Sequence, residues 1–317
     1  MEIPLKALEF ILPVVAKPAR YTGHEWNSVV KDWDRVKVKV VLAYPDIYEV
    51  GMSNLGLMIL YDLLNRREGI LAERVYTPWV DMEGALREAK IPLYSLETRH
   101  PLREFDILGF SLSYELNYTN ILTILDLAGI PLWAQERGEA YPLVIAGGCG
   151  AYNPEPLADF FDLFVIGEGE EVLLELVEAY GEWGKGDREG FLRRAAEIEG
   201  IYVPRLYRVE YGKGALGAAL PQTSEVKPRI TKRIVGRLPP PPTRVVVPYV
   251  EAIHDRGMIE IMRGCTQGCR FCQAGIIYRP LRERSAEEVI EAAEDHHGQH
   301  RKLSLMKFSL SSCDHSQ

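Results

Sequence analysis

The 317-residue chain contains no run of about 18 apolar residues, the length a helix needs to cross a bilayer. Its nearest approach, Leu8 to Ala16, is short and broken by Pro13, so neither a membrane span nor a secretory leader is read there. Cysteine is scarce. There are five, three of them crowded between positions 265 and 272, which excludes a disulfide framework and points to a reducing compartment, the cytoplasm. An excess of basic residues is missing too. With a net charge of −8, the fold as a whole is a poor electrostatic partner for nucleic acid, and only a local basic groove would provide for one. No repeat of solenoid length is present, which excludes a stacked-repeat architecture.

What the chain does have is alternation. Residues 1–35 show no clear period and read as an extension packing on the first domain. From Val36, short apolar runs alternate with helical stretches, the pattern of a parallel α/β sheet. Strands are expected at Val36–Ala43, Arg74–Tyr76, Ile107–Ser111, Leu143–Ala146 and Leu163–Ile166. Helices are expected at Gly56–Asn65, Met82–Ala89, Tyr118–Ala128 and Glu170–Tyr180. This makes 36–200 a doubly wound, flavodoxin-like domain, whose ligands bind where loops converge at the carboxyl ends of the strands. Residues 201–253 read as a connector that contains Gly212-Lys213-Gly214 and two short β-like runs. The four prolines Pro239–Pro242 act there as a stiff spacer.

A second domain begins at 254. The apolar strand Met258–Met262 leads straight into Arg263-Gly264-Cys265-Thr266-Gln267-Gly268-Cys269-Arg270-Phe271-Cys272. Ser285 with Glu288 three positions on forms a capping box opening a helix that carries Val289, Ala292 and Ala293 on one face. Leu303–Leu310 is a second strand, left by Ser311-Ser312. Three thiolates in a Cys-x-x-x-Cys-x-x-Cys spacing suit an iron-sulfur cube with one iron left open to a small molecule. A zinc site would want a fourth ligand, usually as two separated couples, and the nearest upstream histidine, His254, lacks that spacing.

These residues resemble the radical S-adenosylmethionine (SAM) superfamily. The resemblance implies that Cys265, Cys269 and Cys272 ligate a 4Fe-4S cluster and that SAM fills the fourth iron position. Backbone at Phe271 would meet the adenine, and Gly275 would let the chain turn close to the cofactor. Arg279, Arg282 and Arg284 are candidates for the SAM carboxylate or substrate, against a solvated basic stretch. The strand, cluster loop, helix and strand then form the opening βαβ portion of a partial (β/α) barrel. The stretch from Cys265 to Gln317 is far short of the roughly 200 residues such a barrel takes, so the chain is expected to be a truncated piece, inactive by itself.

The first domain resembles the cobalamin-binding domain often fused in front of such barrels. Asp46-Ile47-Tyr48-Glu49-Val50-Gly51 follows that family's Asp-x-His-x-x-Gly motif with Tyr48 in place of the histidine. Ser111 matches the serine of its Ser-x-Leu, Gly147 and Gly148 follow a strand, and Gly167-Glu168-Gly169-Glu170 opens a helix. Asp46, Tyr48, Gly51, Ser111, Gly147, Gly148, Gly167 and Glu168 are therefore the cofactor-contact candidates. A phenol is a poor cobalt donor beside an imidazole. Cobalamin bound without a protein axial ligand and a retained but empty pocket both stay open.

The resemblance implies a one-electron reductant such as flavodoxin or ferredoxin as partner, and an unspecified substrate. Three functions remain: a cobalamin-dependent radical SAM methyltransferase, an RNA-modifying radical SAM enzyme with a scaffold first domain, and a non-catalytic corrinoid- or metal-binding piece. Cys149 and Cys313 read as structural, and His296, His297 and His300 as a solvated helix end ahead of Arg301-Lys302.

Overall fold

The computed structural model describes residues 2–184, 186–212, 215–254, 256–297 and 303–307. Its first sheet has six strands: β1 (Val38–Tyr44), β2 (Ile70–Tyr76), β3 (Ile107–Ser111), β4 (Leu143–Gly147), β5 (Leu163–Val165) and β6 (Ile201–Tyr202), in the order β2-β1-β3-β4-β5-β6. The first five pair in parallel and β6 joins antiparallel. The five-strand order 2-1-3-4-5 is the flavodoxin-like one, and the chain changes direction across the sheet between β1 and β3.

Burial on both faces explains the composition of these strands. In β1, Val38, Val40, Val41, Leu42 and Ala43 are all buried, as a parallel sheet covered on each side requires. Helices α1 (Leu55–Asn65), α2 (Val80–Ala89), α3 (Tyr118–Leu127) and α4 (Gly169–Trp183) supply the cover. On α3, Ile121, Ile124 and Leu125 are fully buried at helical spacing, each burial contributing about 1.5–3 kcal/mol. Asn54 starts α1, its Oδ1 accepting from Leu57 N at 2.8 Å.

The chain between the expected elements also has structure. The N-terminal extension sends Leu8, Ile11, Val15 and Tyr21 into the main core. Helix α5 (Arg188–Ala195) precedes β6, and β7 (Tyr207–Gly212) pairs with β8 (Ala215–Pro221) as a hairpin. The proline run at 239–242 carries no helix or strand. Beyond it the chain lies against the first domain: Val247 bridges Trp26, Ile253 N donates to Glu49 O, and His254 N donates to Ser53 Oγ.

The second sheet has the order β10-β9-β11, with β9 at Gly257–Arg263, β10 at Arg282–Glu283 and β11 at Leu303–Lys307. β9 and β11 are parallel and joined through α6 (Ala286–His297), giving the expected βαβ unit; the antiparallel β10 was not expected. The capping box is formed. Glu288 N donates to Ser285 Oγ and Ser285 N to Glu288 Oε2, both at 3.2 Å. His296 and His297 sit in the last turn of α6, while His300, Arg301, Lys302, Ser311, Ser312 and Cys313 lie outside the described residues. No helix among the described residues is long and apolar enough to cross a membrane.

Candidate functional site

A cavity of about 260 Å³ opens at the carboxyl ends of β3, β4 and β5, beside the start of α1, where the order of the sheet reverses. Two glycines shape it by close backbone approach. Gly148 has φ +94°, and a Cβ there would lie 2.6 Å from Leu112 O; Gly167 has φ +117°, and its Cβ would lie 2.2 Å from Arg233 O. Neither position tolerates a side chain. The walls are largely apolar, and across the opening stand Glu260, Arg263 and Tyr278, which flank the cysteine loop.

Of the first-domain candidates, Ser111, Gly147, Gly148, Gly167 and Glu168 line this cavity. Asp46, Tyr48 and Gly51 do not. Tyr48 is only 1% exposed and points into the core, its hydroxyl donating to Glu25 Oε1 at 3.0 Å and accepting from Tyr249 N at 3.3 Å. Burial, reinforced by the Glu25 carboxylate, pushes its pKa far up, so the phenol keeps its proton. The hydroxyl is thus committed to holding the connector onto the first domain. Gly51 is required for packing, since a Cβ there would lie 2.2 Å from the Tyr76 ring. Asp46 orders its own loop: Oδ1 accepts from Ile47 N at 2.8 Å and Oδ2 from Tyr114 OH at 2.9 Å.

Glu168 lines the cavity, yet its carboxylate is engaged. Oε2 accepts from Arg282 Nη1 at 2.6 Å and from Val235 N at 2.7 Å, and Oε1 accepts from Arg282 Nη2 at 2.6 Å. Next to it, Arg263 pairs with Glu170 at 2.6 Å and with Glu260 at 2.8 Å. All five side chains are buried. Burial alone would lower the Arg263 pKa, but Glu260 and Glu170 together raise it, so the guanidinium stays charged. Arg282 and Arg284, candidates for cofactor or substrate, are occupied within the protein. Arg282 is held by Glu168, and Arg284 Nε donates to Glu260 O at 2.7 Å. Arg279 is exposed.

The cysteine loop has no helix or strand between Arg263 and Ala274. Cys265 is buried and accepts from Gln267 N at 3.4 Å; Cys269 is exposed, and Cys272 N donates to Cys269 O at 3.1 Å. Phe271 is 93% exposed. Gly275 is buried under the loop, where a Cβ would come 2.9 Å from Gln267 O. Among the described residues, no three His, Cys, Asp or Glu side chains converge as metal ligands. The donor chemistry nonetheless fits an iron-sulfur cluster: three thiols outside any disulfide on one loop whose backbone is not committed to regular structure.

Sequence reasoning missed Tyr152, Lys232, Glu260, Arg263 and Tyr278. Glu260 and Arg263 carried a usable signal, because charges inside the apolar run Met258–Met262 and at its end imply buried pairing. Cys149, read as structural, lines the cavity and donates to Ser113 O at 2.9 Å.

Residues 56–204 match the family described as radical SAM proteins, N-terminal. The chain is similar to the Uncharacterized protein MJ0966 of Methanocaldococcus jannaschii, 26% identical over 266 residues, covering 81% of this chain and 45% of the relative. Among solved structures it is similar to TsrM, a radical SAM methyltransferase of Kitasatospora setae bound to tryptophan substrate and a SAM analog. That match has a TM-score of 0.47 and 20% identity, over 82% of this chain and 46% of the other. The chain spans somewhat less than half the length of each.

Proposed function

We propose that this chain, whose residues 56–204 match the radical SAM N-terminal family, forms the corrinoid- and cluster-bearing part of a radical SAM methyltransferase. Cys265, Cys269 and Cys272 would hold a 4Fe-4S cluster with one iron open to SAM, and the cavity at the carboxyl ends of β3–β5 would take part of a cobalamin. When bound, the cluster supplies an electron for cleaving SAM to a 5′-deoxyadenosyl radical, and the corrinoid supplies a methyl group.

The observation that carries this reading is the shared wall. Arg263 and Tyr278 border the cavity; the cysteine loop departs from Arg263, and Tyr278 follows the helical turn Ala274–Ile277 in which the loop ends. The protein's own contribution is placement and exclusion. The largely apolar walls of the cavity would exclude water around a bound ring, and Gly148 and Gly167 shape it by letting the chain close tightly on Leu112 and Arg233. Since the Tyr48 hydroxyl is engaged in the core, that residue would not be a ligand to a bound corrinoid. A reducing compartment and a flavodoxin- or ferredoxin-type reductant follow from the same chemistry.

Anaerobic reconstitution with iron and sulfide, followed by absorbance and metal analysis, tests the cluster. A broad visible band with about four irons per chain is expected, and colourless protein or one tightly held zinc would refute it. Binding of hydroxocobalamin to the same chain tests the cavity. No retention at micromolar concentration would leave the first domain a scaffold and remove cobalt-borne methyl transfer.

A further inference from the structure

We propose that Glu168, a residue of the first domain, is a positioning residue for the cysteine loop. This deepens the cluster assignment above and rests on it. The loop leaves β9 at Gly264, which has φ +98°; a Cβ there would lie 2.6 Å from both Tyr278 O and Pro280 O. The start of the loop is therefore closed directly onto the segment that follows it, and any movement of that segment is passed to Cys265.

That segment is gripped at three consecutive carbonyls. Ile277 O accepts from Tyr152 OH at 3.1 Å and from Lys232 Nζ at 2.9 Å. Tyr278 O accepts from Arg282 Nη2 at 3.0 Å, and Arg279 O from Lys232 Nζ at 3.0 Å. A guanidinium is a rigid planar fork, so fixing two of its nitrogens fixes its plane, and that plane decides whether Nη2 reaches Tyr278 O. Glu168 does the fixing, by accepting from both terminal nitrogens.

Glu168 is itself immobilised. Its N–H donates to Arg233 O at 3.0 Å, its Oε2 accepts from Val235 N, and the Gly167 backbone before it is locked against Arg233. The order of contact runs from β5 through Glu168 and Arg282 to Tyr278 O, Gly264 and Cys265. A buried pair of this kind is weak evidence for added stability, since apolar packing does as well. Its geometry is what a loop of metal ligands needs, because outer residues orient the inner ones.

The test compares wild type with Glu168→Gln, Glu168→Asp and Lys232→Met after reconstitution of the full chain. The readouts are iron loss to a chelator and the electron paramagnetic resonance spectrum of the reduced cluster, with circular dichroism to verify folding. Glu168→Gln is expected to lose iron on the order of tenfold faster and to show a changed spectrum, with Glu168→Asp recovering part of the difference. Lys232→Met, which leaves no charge buried without a partner, covers the case in which Glu168→Gln fails to fold; it is expected to change the spectrum in the same way. Wild-type iron retention and spectrum in a folded Glu168→Gln, or in Lys232→Met when the glutamine variant is unfolded, would overturn the proposal. Failure of wild type itself to take up iron would instead sink the cluster assignment.

Discussion

Arg282 and Glu168 form a two-pronged ion pair, with Nη1 on Oε2 and Nη2 on Oε1 at 2.6 Å each, between positions 114 residues apart in the chain. Both side chains are buried, so either charge left without its partner is costly. Replacing Arg282 by methionine strands the carboxylate beside Val235 N and Arg263, the latter 3.7 Å away. We expect a loss of about 3–5 kcal/mol by urea denaturation. The double variant Glu168→Gln, Arg282→Met should lose less than the sum of the two single changes, since no lone charge remains. Additive losses would show that the two groups act independently.

Tyr48→Phe separates a core role from a cofactor role. The change removes the hydroxyl that donates to Glu25 and accepts from Tyr249 N, and should lower stability by about 1–2 kcal/mol. Corrinoid affinity, measured by titration at a temperature where the variant is fully folded, should be unchanged. A large affinity loss in the folded variant would return Tyr48 to the binding site.

How much of this was legible in the sequence depends on the range of the forces involved. β3 came out at Ile107–Ser111 as expected, and the capping box of Ser285 and Glu288 formed, because burial pattern and first-turn hydrogen bonds are local. The two-residue β6 is too short to show a period. The direction of a polar side chain was not readable. Tyr48 and Glu168 sit in motif positions, but partners far along the chain, Glu25 and Tyr249 for one and Arg282 for the other, decide where each points.

Glu73 gives the fold a dependence on pH. Burial, with the neighbouring Glu97 charge added, pushes its pKa from an ordinary 4.5 up to about 7. The folded protein thus binds a proton that the unfolded chain has released between those values. The associated stability is full below about 4.5 and is lost as pH rises through about 7. Glu73→Gln, which mimics the protonated acid, should be close to wild type at acidic pH. In mildly alkaline buffer it should be more stable, by on the order of 1 kcal/mol. Thermal melts of both proteins across this range check the sign; a variant equally destabilised at both ends would mean that Glu73 is held ionised by Thr98, which donates to it at 2.8 Å.

The sharpest prediction concerns the thiols. Cys265, Cys269 and Cys272 differ in exposure, the first buried, the second exposed and the third between them, so a purely structural role would give three different outcomes on substitution. Cys265→Ala would loosen packing at the end of β9, whereas Cys269→Ala would leave stability unchanged. Ligation predicts instead a common outcome, because a cube with two thiolate ligands is not kept. Each alanine variant should lose the visible band and most of its iron after reconstitution. Cys149→Ala, in the neighbouring cavity, should keep both. The decisive comparison is Cys269→Ala: an unperturbed melting temperature together with complete loss of the band can come only from a ligand, and a retained band would remove Cys269 from the metal site.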